Sequence, residues 1–355
     1  MSLLILLAIP LVVAAVGLAV SRGKVNWIEA LIQAALGVLL VGGGYLAARY
    51  VKTADTEIWN GRVAVKEHGT QGCCHNYQCF CTESCSGVGK SRTCTMICQT
   101  CYEHDHDLYW SARTTNGETI FYDACNSPST TTPAEWEQIV EGEPTAVEHN
   151  YINYIKGAPG KFFRQPQLLE RYRGGLPEYP RVHGYRAQRF IMAAAGEAVP
   201  DLARLDRRLS EINGSLGRAK QVNIIVVVTT ERSEEYADAL SEYWLGGKKN
   251  DLIVVIGMGS YSIGWVRIIS WTDAEKVKRA IEKRIRALGN FDGYRILSVV
   301  GQEVWSKFRR KHMSDFKYLI KETEPPVWTF VLLVVLGMAI SIGLQVWFWL
   351  NDPFG

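Results

Sequence analysis

Apolar and polar positions divide the chain into three regimes. Residues 2–20 carry no charge, residues 27–48 carry only Glu29, and residues 327–350 (VWTFVLLVVLGMAISIGLQVWFWL) carry none. A helix of ~20 apolar residues crosses a hydrocarbon core of ~30 Å. Transmembrane helices are therefore predicted at 1–20, 27–48 and 327–350. The first stretch lacks a basic start and exceeds a signal-peptide core in length, so it is expected to remain as a span. Trp328 at one end of the last stretch, with Trp347 and Trp349 at the other, fits interfacial belts. Gly37, Gly42, Gly43 and Gly44 form a small-residue face for close packing on another span or another subunit. Glu29, near its helix end, is expected to reach water or to pair with Lys24.

Between the spans the periodicity changes twice. Residues 107–112 and 118–122 mix aromatic and β-branched types as strands do, and Asn116-Gly117 between them signals a hairpin. With the surrounding cysteines they make a small, mostly β module over 55–130. Residues 131–199 have no clear period and read as a connecting segment, with a short helix expected at 186–195. Their arginines, Arg171, Arg173 and those over 181–189, suit either a phosphate patch or a solvated basic surface beside a membrane.

From 200 to 322 the pattern is regular. Leu202, Leu205, Leu209 and Ile212 recur at helical spacing behind Asp201. The run 222–228 reads as a central strand, 233–244 as a helix, and 252–256 and 264–270 as further strands. Thr272 or Asp273 is placed to cap a helix that turns Val277, Ile281, Ile285 and Leu288 inward, and a last helical region is expected over 294–321. Pro325 and Pro326 make a stiff joint into the third span.

The formal net charge of +3 is too small to argue for nucleic acid. The expected partners are membrane lipid and other membrane or envelope proteins, a second copy of the chain included. Basic residues flanking the spans favour a cytoplasmic soluble region by a residue or two. The nine cysteines, all between Cys73 and Cys125, argue for an oxidising compartment and weigh more. The expected arrangement is an inner-membrane protein with loop 21–26 inside and the soluble region extracytoplasmic (periplasmic).

Two chemistries compete for the cysteines. Disulfides among Cys73, Cys74, Cys79, Cys81, Cys85, Cys94, Cys98 and Cys101 would leave Cys125 free or bonded to another chain. Zinc would take Cys98-x-x-Cys101 with Cys79, Cys81 or His104, but no second C-x-x-C completes that template. Disulfides are the favoured reading, because a small β unit with few core residues gains most from them.

The segments IIVVVTTERSEEYADALSEYWLGG, NDLIVVIGM, WVRIISWTDAEKVKRAIEKRI and FDGYRILSVVGQEV, in this order, resemble the TPM domain family over about 200–316. The resemblance implies an α/β domain with a mixed sheet flanked by helices, facing away from the cytoplasm. Some members are described as acid phosphatases or calcium binders, with an acidic cluster at one end of the sheet. Thr272-Asp273-Ala274 keeps the family pattern, whereas the family's Asp-Asn-Gly appears as Lys249-Asn250-Asp251. The implied metal ligands are thus reduced to Asp251 and Asp273, beside Lys248 and Lys249. A hard cation wants several oxygen ligands, and ammonium groups repel it. No cofactor is therefore expected, with calcium at Asp251 and Asp273, or zinc in the cysteine module, as the alternatives. The fold class expected is an α+β membrane protein: three transmembrane helices, the cysteine-rich module and the TPM-like domain. The expected role is a membrane-anchored extracytoplasmic interaction or assembly protein. A TPM-type metal-dependent phosphatase, or a subunit of a larger membrane or phage-associated assembly, is the alternative.

Overall fold

The computed structural model describes residues 2–87, 93–126, 131–193, 199, 201–351 and 353–354. The chain is α+β and forms two compact units: one of residues 1–56, 150–165 and 312–355, the other of 57–149 and 166–311.

The first unit holds three helices long and apolar enough to cross a membrane: α1 (Ser2–Val20), α2 (Trp27–Thr53) and α10 (Val327–Asn351). They pack on one another through small residues. A Cβ on Gly37 would lie 2.5 Å from that of Pro10 in α1, one on Gly44 2.5 Å from Leu333 in α10, and one on Gly337 2.7 Å from Val41. Such contacts suit a membrane interior, where van der Waals packing and hydrogen bonds hold helices together. Gln33 is fully buried and donates to the Ser341 carbonyl at 2.9 Å. Glu29 neither reaches water nor pairs with Lys24. It is buried in a capping box, its Oε2 accepting from the Asn26 N–H while Asn26 Oδ1 accepts from the N–H groups of Ile28 and Glu29. Lys24 instead lies over the Trp349 ring at 4.4 Å. Below α2, the Asn153 N–H donates to the Thr53 carbonyl at 2.7 Å, starting the short helix α4 (Tyr154–Gly157). Lys52 donates to the carbonyls of Glu322 and Glu324 at the end of a 3-10 helix, Met313–Thr323.

Among the described residues the second unit contains two four-stranded sheets and two two-stranded ones. The first sheet has the order β5-β4-β1-β6, formed by β1 (Ala54–Gly72), β4 (His106–Thr114), β5 (Thr119–Asn126) and β6 (Pro144–Ile152). β4 and β5 are joined through Gly117, whose φ of +86° is the conformation that the Asn-Gly turn demands. Trp136 of α3 (Ala134–Gln138) donates its indole N–H to the Ser111 carbonyl and packs edge-on against Trp110. The hairpin β2 (Asn76–Ser86) and β3 (Thr93–Tyr102) inserts between β1 and β4 in sequence and, among the described residues, forms a two-stranded sheet of its own.

The second sheet has the order β12-β11-β10-β9. It comprises β9 (Phe190–Ala193), β10 (Asn223–Thr229), β11 (Asp251–Gly259) and β12 (Ser262–Ile269). The first three run parallel and β12 antiparallel, so the sheet is mixed. Every residue of β10 is buried. Ile224, Val226 and Val228 face the helices α6 (Leu202–Lys220), α8 (Glu275–Arg286) and α9 (Gly293–Lys307), while Ile225 and Val227 face α7 (Glu235–Tyr243). This is the two-residue alternation of a strand covered on both faces.

Segment 131–199, read from the sequence as a connection, supplies β6 to one sheet and β9 to the other. Its helix α5 (Pro166–Tyr172) packs on α7, with Tyr172 edge-on to Tyr236, and the Tyr236 hydroxyl donates to the Gly175 carbonyl. Over 186–193 the helix expected at 186–195 is replaced by β8 (Arg186–Ala187), paired with β7 (Val182–His183), and by β9, while 194 and 195 lie outside the described residues. Pairing with β10 overrides the local sequence there. The helical region expected over 294–321 ends at Lys307 and resumes only as the 3-10 turn.

α6 crosses β1 where two glycines remove side chains. A Cβ on Gly217 would overlap the Asn60 carbonyl, and one on Gly214 would lie 2.8 Å from the Gly61 carbonyl. Replacing a helix-interior glycine by alanine ordinarily stabilises by up to ~1 kcal/mol. Gly217→Ala is expected to do the reverse, lowering unfolding free energy by ~2 kcal/mol through overpacking. Gly301→Ala in α9, whose Cβ would meet only Ile212 at 3.4 Å, should be neutral or stabilising. Denaturant unfolding of both variants in detergent, followed by tryptophan fluorescence, checks the contrast.

Candidate functional site

Glu57 of β1 is fully buried. Its Oε1 accepts from the Trp59 indole at 2.8 Å, from Lys249 Nζ at 2.9 Å and from Arg310 Nη2. His149 of β6 lies 3.5 Å away and stacks on Trp59, with centroids 3.7 Å apart. Lys249 precedes β11, so this ion cluster ties β1 and β6 to the leading end of the second sheet. Asn60 continues the seam. It donates to the Val222 carbonyl and to Asn223, and accepts from the fully buried Arg189. Burial pushes Arg189 down to about 10, partly offset by Asp206.

Asp251 and Asp273 lie in very different surroundings. Asp251 is fully buried, and its carboxylate accepts from Asn223 Nδ2 at 2.9 Å, the Tyr179 hydroxyl at 2.8 Å and the Lys248 N–H at 2.6 Å. Burial pushes its pKa up to about 6, against the pull of those donors and of Lys248. Asp273 is 77% exposed and accepts from Lys311 Nζ at 2.6 Å. It does not cap α8: Ala274 takes the N-cap position without a side-chain bond, and Thr272 Oγ1 accepts the Ala274 N–H. Among the described residues, neither aspartate belongs to a cluster of metal-capable side chains.

The cysteines form four pairs at disulfide distance: Cys74–Cys125, Cys79–Cys101, Cys81–Cys98 and Cys85–Cys94. The last three are rungs across the β2–β3 hairpin. Cys125, expected free or intermolecular, is bonded to Cys74, because the register of β5 on β4 and of β4 on β1 brings the ends of β5 and β1 together. Cys73 is the free thiol in its place. Cys98 and Cys101, the pair that a zinc ribbon would share, enter two different bridges.

A second set of donors gathers where the hairpin leaves the first sheet. Cys73 follows β1, His75 precedes β2, His104 lies between β3 and β4, and Asp107 opens β4. Their ligand atoms all lie within 4.8 Å of one another. Asp107 is fully buried, with Oδ1 2.5 Å from His104 Nε2 and 3.4 Å from His75 Nδ1, and with Oδ2 accepting from the Cys74 N–H at 2.7 Å. Burial alone would raise the Asp107 carboxyl, but the Cys74 N–H and the two histidines hold it below the usual carboxylate range. Of this set the sequence pointed to His104 as a zinc ligand and to Cys73 only as a disulfide cysteine. Its nearest legible sign was histidines interleaved with an odd number of cysteines.

A cleft of about 550 Å³ opens beside α6, lined by Glu143, Arg186, Arg189 and Asp206 among others. Two of its cations have internal partners: Arg186 pairs with Glu143 at 2.8 Å, and Arg189 bonds Asn60 and Ser210. Arg171 and Arg173 likewise pair with Glu235 and Glu170.

Three outcomes are expected. Alkylation in denaturant with chelator and without reductant should label one cysteine, Cys73, and prior reduction should raise the count to nine, by intact mass. Lys249→Met should destabilise by ~3–5 kcal/mol, since it strips a cation from a buried carboxylate, and Lys249→Asp by more, in denaturant unfolding. Asp251 has a folded pKa of about 6 against an unfolded value of 3.8, so the folded state binds its proton more tightly. Its contribution is full below the unfolded value and is lost as pH rises through the folded one, ~2–3 kcal/mol in all. Wild-type unfolding free energy, compared with Asp251→Asn, should therefore fall over that window, while the variant lacks the slope. No family model, curated protein or solved structure matches this chain.

Proposed function

We propose that this chain is a membrane-anchored interaction protein whose soluble region lies outside the cytoplasm, held at the inner membrane by α1, α2 and α10. In this reading the α/β domain is TPM-like, with its acidic site converted to structural use. Lys249, at the position of the family's aspartate, neutralises buried Glu57, and Asp251 turns inward onto Asn223 and Tyr179. Four disulfides belong in an oxidising compartment, which supports the extracytoplasmic orientation.

The observation that carries the reading is the β2–β3 hairpin. Three disulfides stiffen it, yet Tyr77, Phe80, Met96, Ile97 and Tyr102 all stand at least half exposed. A pre-ordered apolar surface loses little entropy on docking, and aromatic anchors dominate protein interfaces. The partner is a protein of the same envelope, recognised through these side chains.

A photo-crosslinking residue at position 80 should give a discrete protein adduct in cells, and Met96→Asp in the same chain should abolish it. The enzyme reading is tested with full-length protein in detergent, a chromogenic phosphomonoester, and magnesium, calcium, manganese or zinc. No turnover above the blank is expected. Turnover abolished by Asp273→Ala would replace the interaction reading with a metal-dependent phosphatase.

A further inference from the structure

We infer that Cys73, His75, His104 and Asp107 form a binding site for one zinc-class divalent transition ion at the root of the disulfide hairpin. Four donors arrive from four points along the chain and converge within 4.8 Å. A tetrahedral zinc site needs four such atoms, with Zn–S of ~2.3 Å and Zn–N or Zn–O of ~2.0–2.2 Å. The chemistry of the set selects the ion. A thiolate and two imidazoles exclude calcium and magnesium, which take oxygen, whereas sulfur and nitrogen together suit zinc.

Independent features of the cluster point the same way. His75 Nδ1 is buried without a hydrogen-bond partner among the described residues, although the ring sits against Asp107 and its centroid is 5.2 Å from that of His104. Asp107 is oriented by the Cys74 N–H on Oδ2, which leaves Oδ1 directed at both histidines. This is the outer-shell support that metal-ligating carboxylates carry. Cys73 is the one free thiol in a module whose other eight cysteines are bridged, and coordination would shield it from oxidation and exchange.

The charge balance closes. Binding releases the Cys73 thiol proton to solvent, and the proton between His104 Nε2 and Asp107 Oδ1 leaves Nε2, to Nδ1 of a neutral ring or to solvent from a charged one, so that Nε2 is a ligand and Nδ1 carries the proton. Thiolate and carboxylate then supply two negative charges against the ion's two positive ones, and the imidazoles bind as neutral ligands. With all four positions taken by protein the site is structural: it fixes the hairpin to the ends of β1 and β4 beside the Cys74–Cys125 bridge.

The test uses full-length protein in detergent, stripped with chelator, its disulfides intact. Titration with cobalt(II) should give the near-ultraviolet thiolate-to-cobalt band and the intense visible bands of a four-coordinate site, saturating at one equivalent. Zinc should displace both and suppress alkylation of Cys73, and chelator should restore it. Cys73→Ser should lose the thiolate band, His104→Gln should lose the four-coordinate visible spectrum, and His106→Gln, outside the cluster, should keep both. Intact mass of each variant confirms that its four disulfides remain. Absence of the thiolate band in wild-type protein, or its persistence in Cys73→Ser, overturns the proposal. So does Cys73 alkylation at an unchanged rate with zinc present.

Discussion

The second unit depends on a buried carboxylate. Glu57 has no access to solvent, and an ionised carboxylate in that setting is tolerable only with cations against it. Lys249 and Arg310 provide them from distant points in sequence, and Trp59 adds a neutral donor. The cluster therefore acts as a registration point. The placement of the first sheet against the start of β11 brings the two cations onto Glu57, whereas Trp59 lies two residues along the same strand. The neighbouring seam of Asn60, Asn223 and Arg189 repeats the device without further net charge on the carboxylate side. Gly214 and Gly217 in α6 make it reachable, since any side chain there would hold α6 away from β1.

This constraint also decides what the acidic positions can do. A lysine beside a candidate cation site looks like a lesion when only the sequence is considered. In the folded chain Lys249 has a structural partner, and its charge is spent on Glu57. Asp251, one residue from Asn250, bonds inward, while Asn250 donates to the Ile58 carbonyl. The loop before β11 ties the two sheets together.

The hairpin is stabilised by a different means. Its strands are almost wholly exposed, and an isolated two-stranded hairpin is marginal in water. Three cross-strand disulfides supply what a core would, each by ~2–4 kcal/mol. Apolar side chains can then stay on the outside without costing the hairpin its shape. In the first unit, Glu29 closes a capping box through Oε2 and Gln33 donates to the Ser341 carbonyl, while Glu29 Oε1 and Gln33 Oε1 are buried without a hydrogen-bond partner among the described residues.

Much of this was legible in the sequence. Span length and the absence of charge define the three apolar helices, because a helix in hydrocarbon must be apolar along its whole length whatever it packs against. The strands β10 and β11 and the helices α6, α7 and α8 were legible for a related reason: their periodicity records which faces are buried. The presence of disulfides was legible from cysteine density, but their pairing was not. Which thiols meet depends on strand register, and register placed Cys125 on Cys74 and left Cys73 over. The same holds for the donor cluster at His75, His104 and Asp107, for the fate of Lys249, and for β9, whose four residues become a strand only because β10 lies alongside. Local pattern encodes burial of a single element. Contacts between residues far apart in sequence carry no such imprint, and the tertiary structure alone determined them.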